Sequence, residues 1–232
     1  MLDVGASSMS VQVTDPAFAG ATPGARPSML ATRGAARLKD FIDPVIAAFA
    51  LLVLLPLFVV LAVAVRLSSP GPVLHRRRVL GLGGQEFDAL KFRTMVADAD
   101  AILERDAALR QAFQAKQKLT NDPRTTAVGR FLRKYSLDEL PQLVNVLRGQ
   151  MWLIGPRMIA PDEVGRYGSL VSRLVTVKPG MTGLWQVSGR QNTTYERRVE
   201  LDMQYIDSWS LLLDLTILCR TVSVVVTGHG GY

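Results

Sequence analysis

Apolar and polar positions divide the chain into three parts. Residues 1–36 are rich in Ala, Gly, Ser, Thr and Pro and show neither a helical nor a strand period. They predict a disordered tail. It does not read as a secretory signal, because the apolar segment starts late and no small-residue cleavage site follows it. Residues 44–65, PVIAAFALLVLLPLFVVLAVAV, then run for 22 positions without a charge. At a helical rise of about 1.5 Å per residue this reaches about 33 Å, enough for a hydrocarbon core of about 30 Å. From residue 68 onward short apolar segments alternate with turn signals and amphipathic stretches, as in a folded domain.

Two features argue against a plain crossing of residues 37–67. Pro56 removes a backbone donor and clashes with the carbonyl of Leu52. Arg33, Arg37 and Lys39 precede the run, and Arg66, Arg76, Arg77 and Arg78 follow it. Cationic flanks stay on the cytoplasmic side of a membrane, so both ends are expected there. Breaking near Pro56 leaves two arms of about 16 Å, each half a bilayer. The segment reads as a re-entrant hairpin that dips into one leaflet. A kinked single-pass helix is the alternative.

SSPGP (68–72) ends the second arm, and VLHRRRVLGLGGQEFDALKFRTM predicts a β-hairpin turning at GLGG. That glycine cluster lacks the third glycine of a dinucleotide fingerprint, and no helix opens after it. On a strand, Lys91 and Arg93 share one face and Phe92 takes the other. Two adjacent cations repel, which marks an anion site, with a solvated strand face as the alternative. Residues 96–118 predict one exposed amphipathic helix. A turn and a short helix carrying Arg130, Arg133 and Lys134 follow, then a helix over LDELPQLVNVLRG closed by Gly149. MWLIGPRMIAPDE begins apolar and ends in a turn. Residues 177–190 predict a glycine-punctuated loop with Trp185 exposed. Residues 195–207 predict a helix with Val199, Met203 and Ile206 on one face. Residues 209–226 are apolar apart from Asp214 and Arg220, which suits a helix lying in a membrane interface. The class is α+β: mostly helical with a small β-hairpin, anchored by an N-terminal re-entrant helix kinked at Pro56. Residues 68–232 form the folded domain that follows it.

Composition narrows the partners. Lys and Arg number 27 against 20 Asp and Glu, a formal charge of +7, while 48% of residues are hydrophobic. A basic, apolar chain suits a membrane surface or a phosphate-rich substrate. Nucleic acid is not expected, because no basic run is interleaved with aromatics. One cysteine, Cys219, rules out a disulfide framework or thiol metal site and reads as a small buried hydrophobe. His75 and His229 are too far apart in sequence to suggest a zinc cluster.

Chemistry concentrates at YSLDELPQL, residues 135–143. Ser136 and Glu139 have capping-box spacing, which would make Asp138 and Glu139 complements of a helix dipole. If Asp138 is the cap instead, Pro141 falls in the first turn, where its missing N–H costs nothing. Either way the acids lie at a positive helix end, where phosphate also binds. A carboxylate kept ionised there suits a nucleophile or a metal ligand, beside the plain capping role.

Five segments carry a family resemblance: KDFIDPVIAAFALLVLLPLF, SSPGPVLHRRRVLGLGGQEFDALKFRTM, DPRTTAVGRFLRKYSLDELPQLVNVLRGQMWLIGPR, VKPGMTGLWQVSGR and YERRVELDMQYIDSWSLLLDLTILCRTV. Together they resemble the monotopic phosphoglycosyl transferases, also called bacterial sugar transferases. The likeness covers about residues 37–232, and KFRTM with SLDELPQL is its most specific part. One departure is Met158, where the family usually has proline after GPR.

The resemblance implies a re-entrant membrane helix kinked at its central proline and a site at the cytoplasmic face of the bacterial inner membrane. It implies transfer of a sugar-1-phosphate from a UDP-sugar to polyprenyl (undecaprenyl) phosphate with release of UMP. That reaction is the first membrane step of exopolysaccharide, capsule or O-antigen synthesis. Asp138 would be the nucleophile of a covalent aspartyl phosphosugar, and Glu139 would help hold Mg²⁺. Carboxylate nucleophiles, magnesium and cationic clamps are consistent with phosphoryl transfer. Lys91, Arg93, Arg133 and Arg157 are the candidate phosphate-binding cations, each with a surface salt bridge as its alternative. Trp185 is a candidate platform for uracil, or else a packed loop anchor. The C-terminal run resembles members that carry a hexose, with an N-acetylated amino sugar as the alternative. A homodimer is compatible with the resemblance. A membrane-anchored lipid-binding module is the rival outside enzymes, but it gives KFRTM and LDELPQ no reason to occur together.

Overall fold

The computed structural model describes residues 29–116, 122–189 and 193–227. The expectation for residues 1–28 and the position of His229 lie outside them. Helix α1, Met29–Ser68, begins earlier than residue 37 and continues through Pro44 and Pro56. The sequence is apolar all round, yet packing divides its faces. Ala47, Leu51, Leu54, Phe58, Leu61 and Val65 recur every three or four residues and rest on the body of the protein. Phe49, Leu52, Val53, Val60 and Val63 point outward, exposed.

Both ends of α1 are fastened to that body. Near the start, the buried Lys39 Nζ donates to the Ile154 carbonyl at 2.8 Å and to Asp214 at 2.5 Å. Asp43 accepts from the Leu153 N–H at 2.9 Å, and Asp40 from the Trp152 indole N–H at 2.8 Å. At the far end, the Arg93 guanidinium donates to the carbonyls of Ser69 and Pro70 at 2.6 and 2.7 Å. These carbonyls follow the helix, where a cation is favoured by the dipole and by the unpaired acceptors.

Strands β1, Leu74–Leu80, and β2, Glu86–Phe92, pair antiparallel with His75 opposite Lys91. Gly83 and Gly84 take positive φ in the turn between them, so the expected hairpin is present. The single helix expected over 96–118 is instead two, α2 (Ala99–Arg105) and α3 (Ala107–Lys116). Asp106 breaks it: its carboxylate accepts from the Leu109 N–H at 2.9 Å and starts a new helix. Helix α4, Ala127–Lys134, is capped by Thr126, whose hydroxyl accepts from the Gly129 N–H. A 3₁₀ turn at Leu137–Glu139 leads into α5, Gln142–Leu147. Beyond it Gly149 adopts φ 69°, the left-handed stop expected of it.

Strand β3, Trp152–Ile154, runs parallel to β4, Gly180–Thr182, with α6 (Val164–Tyr167) and α7 (Val171–Leu174) between them. The expected loop over 177–190 therefore contains β4 and the short α8, Leu184–Val187. Helix α9, Tyr195–Ser208, packs Val199, Met203 and Ile206 against Ile159, Tyr167 and Leu174, as its period predicts. Helix α10, Leu211–Thr227, buries Asp214 and Ile217 and exposes Leu212, Leu215, Val222 and Val226. Cys219 lies on this exposed side, contrary to the buried position expected of it. Mostly helical with two small sheets, the fold matches the α+β expectation at that level.

Candidate active site

Sequence neighbours of KFRT and SLDEL meet because α4 presses closely on the chain after β2. The Thr126 N–H donates to the Thr94 carbonyl at 3.0 Å. A side chain on Gly129 would meet that same oxygen at 2.0 Å, so only glycine allows the approach. Arg133, one turn further on, donates from Nε to the Thr94 hydroxyl at 2.9 Å. The chain then reverses through Ser136 at φ 54°, ψ 21°, the one non-glycine residue with positive φ among those described. Holding a serine there costs on the order of 1 kcal/mol or more, which the surrounding packing must offset.

That reversal corrects the capping-box expectation. Ser136 makes no side-chain cap. Glu139 turns to Lys91, whose Nζ lies 2.5 Å from its carboxylate. Pro141 stands immediately before α5, where its missing N–H is harmless.

The result is a cleft of about 610 Å³. Lys91, Arg93, Arg133, Asp138, Glu139, Arg157 and Trp185 all line it, so the residues singled out by sequence converge in space. Asp138 is 9% exposed. Burial pushes its carboxyl up to about 6, with Glu139 adding to the rise and Lys91 and Arg133 opposing it. A helix end alone would keep this carboxyl ionised, but desolvation outweighs the dipole here.

Two candidates are placed differently from expectation. Arg93 lines the cleft, but its Nη atoms are turned to main-chain carbonyls. Trp185 is buried at 6% exposure rather than exposed. Its ring already carries the guanidiniums of Arg157 and Arg198, 4.9 and 4.4 Å from its centroid. Arg157 is held from its backbone, where its N–H donates to Asp202 at 3.0 Å. Met158, at the departure from the family's proline, is buried in the cluster formed with Ala47, Val79 and Leu143, and Arg157 remains on the cleft wall.

Several residues of the site were not found from sequence. Arg77 lines the cleft and pairs with Glu163 at 2.8 Å. The hairpin register that sets His75 opposite Lys91 could have pointed to this face of β1. Asp202 is fully buried, accepts from the Tyr167 hydroxyl at 2.7 Å, and is pushed up to about 6 by burial. No local pattern marks it, because its partners are distant in sequence.

Among the described residues no cluster of three or more His, Cys, Asp or Glu is arranged to enclose a metal. Two adjacent carboxylates at the cleft do fit Mg²⁺, which ordinarily combines one or two carboxylates with substrate phosphates and water. A buried acid and its part-exposed neighbour, ringed by cations in an open cleft, suit a phosphorylated ligand.

The profile of a family described as bacterial sugar transferase matches residues 34–228. The chain belongs to that family. The transferase is 43% identical over 198 residues to the exopolysaccharide production protein ExoY of Rhizobium meliloti, covering 84% of this chain and 88% of the relative. It is 44% identical over 207 residues to the undecaprenyl-phosphate galactose phosphotransferase of Salmonella typhimurium, covering 88% of this chain and 43% of that protein. It is 42% identical over 193 residues to the UDP-glucose:undecaprenyl-phosphate glucose-1-phosphate transferase of Escherichia coli, covering 80% and 39%. The transferase thus spans nearly all of ExoY and under half of the other two.

Proposed function

We propose that this transferase moves a sugar-1-phosphate, a hexose-1-phosphate in our reading, from a UDP-sugar to undecaprenyl phosphate in exopolysaccharide or capsule synthesis. The observation that carries the reading is the position of Asp138, a buried carboxylate in a cleft whose cations suit phosphates. The names of the relatives support the substrate pair.

In the proposed reaction an Asp138 carboxylate oxygen attacks the phosphorus that bears the sugar. The bond from that phosphorus to the UMP oxygen breaks, and UMP leaves. An oxygen of undecaprenyl phosphate then attacks the same phosphorus, the aspartyl–phosphorus bond breaks, and the carboxylate is regenerated. Splitting the transfer lets one site serve a soluble donor and a lipid acceptor in turn. Lys91 and Arg133 offset the charge around Asp138, and Lys91 also orients Glu139. Glu139 would help hold Mg²⁺, which when bound neutralises phosphate charge.

The membrane reading is a helix held in one leaflet with both ends on one side, re-entrant through a kink at Pro56 within the unbroken helical run of α1. It is supported by the two fastenings of α1, at Lys39 and at Arg93, to one folded body. A crossing helix would put those ends on opposite sides of the bilayer. The exposed apolar faces of α1 and α10 suit lipid contact.

Incubating the detergent-solubilised chain with undecaprenyl phosphate, Mg²⁺ and a panel of UDP-sugars should release UMP with at least one hexose donor. No UMP with any common UDP-sugar overturns the reading in favour of a lipid-binding module. Release with N-acetylated amino sugars alone overturns the hexose assignment. For the membrane arm, single cysteines at Arg37 and Ser69, with Cys219 replaced by serine, should share one accessibility to an impermeant reagent. Labelling of one flank only would contradict the one-leaflet arrangement.

A further inference from the structure

The charges of the cleft fall into two groups. Asp138 feels chiefly Lys91, Glu139 and Arg133. Glu163 feels chiefly Arg157, Arg77 and Arg198. In this second group Glu163 bonds Arg77 at 2.8 Å and reaches Arg157 at 3.8 Å. Arg77, Arg157 and Trp185 line the cleft, and the Arg198 guanidinium lies 4.4 Å from the Trp185 ring centroid.

Three guanidiniums here face one ion-paired carboxylate. The other acid close to them, Asp202, is held by the Arg157 backbone N–H and the Tyr167 hydroxyl. Arg198 is 7% exposed, and burial together with Arg157 lowers its pKa. The Nε atoms of Arg157 and Arg198 and the indole nitrogen of Trp185 are buried without acceptors among the described residues. Buried donors and excess positive charge at a cleft wall are costly unless an anion completes them.

We propose that Arg77, Arg157 and Arg198, gathered around Glu163 and Trp185, form a second phosphate subsite that holds the departing nucleoside monophosphate. The inference rests on the reaction proposed above. It divides the donor's diphosphate between the groups: the sugar-bearing phosphate goes to Asp138, Lys91 and Arg133, and the nucleotide phosphate to the three arginines. Arginine's planar fork suits a phosphate that must be gripped and then released. Trp185 is then the platform that aligns two guanidiniums, and Glu163 is a positioning residue that spaces Arg77 from Arg157.

The test is product inhibition of the full-length, detergent-solubilised enzyme by UMP and by uridine, with thermal melting of each variant. In Arg77→Gln and Arg198→Gln the UMP inhibition constant should rise by about tenfold or more, the loss of a charge-assisted phosphate contact. Uridine, lacking the phosphate, should inhibit wild type and variants equally. An unchanged UMP constant in folded variants overturns the subsite while leaving the reaction intact, as does equal weakening of uridine. Should Arg198→Gln fail to fold, Arg77→Gln decides alone, since that side chain is half-exposed on β1. A wild-type enzyme that turns over no UDP-sugar refutes the underlying reaction instead.

Discussion

At the scale of single residues, the cost of the site is concentrated in Asp138. Its carboxyl is raised from 3.8 to about 6 by burial, so the ionised form is disfavoured in the folded protein. Only that form can attack phosphorus. The rate of UMP release at subsaturating donor, which follows kcat/KM, should therefore fall about tenfold per pH unit below about 6. A flat profile between pH 5 and 7 would contradict the assignment. The stability consequence has the opposite sense. A carboxyl whose folded pKa lies above its unfolded value stabilises least where it is ionised, so stability from this group falls as pH rises from about 4 through about 6. Asp138→Asn removes that cost, worth up to about 3 kcal/mol. The variant should melt higher than wild type at pH 7.5 and show no such rise at pH 4.

At the scale of elements, the site depends on two close joints. Gly129 lets α4 touch Thr94, and a Cβ there would lie 2.0 Å from the Thr94 oxygen. Arg93 joins β2 to the carbonyls after α1. Gly129→Ala should separate α4 from β2 and lower both the melting temperature and the activity. Arg93→Ala should cost about 2–4 kcal/mol, because it removes a buried cation and strands its acceptors. Normal melting in either variant would count against these joints. The hairpin, the helix stop at Gly149 and the inward face of α9 were legible because turn glycines and apolar periods are local. The break at Asp106, the left-handed Ser136 and the burial of Trp185 were not. The break at Asp106 is a local cap on Leu109 that the apolar period does not reveal, whereas the burial of Trp185 depends on Leu201, Tyr205 and Ile217, far along the chain.

At the scale of the whole molecule, one buried ion pair links α1 to α10. Lys39 and Asp214 are 3% and 6% exposed, and Lys39 lies against the rings of Trp152 and Trp209. Lys39→Met alone should destabilise by about 3–5 kcal/mol, because it leaves a buried carboxylate unpaired. The pair Lys39→Met with Asp214→Leu should recover part of that loss in the same melting experiment. If the double variant melts no higher than the single, the pair is not what couples α1 to α10. The long apolar segment was plain from 22 uncharged positions, whereas its attachment through Lys39, Asp40 and Asp43 emerged only with the fold. All seven site candidates proved to share one cleft. The second arginine group was hidden because Arg77, Glu163 and Arg198 come from three separate segments.

In the proposed reaction Asp138 takes the sugar phosphate onto itself. The most direct measurement is the intact mass of the full chain after mixing with its UDP-sugar and Mg²⁺ in the absence of lipid acceptor. The expected result is a gain equal to one sugar phosphate in the wild type, mapped to Asp138, lost on adding undecaprenyl phosphate and absent from Asp138→Asn. An unmodified mass in an enzyme that turns over with acceptor present, or full activity in Asp138→Asn, would contradict it.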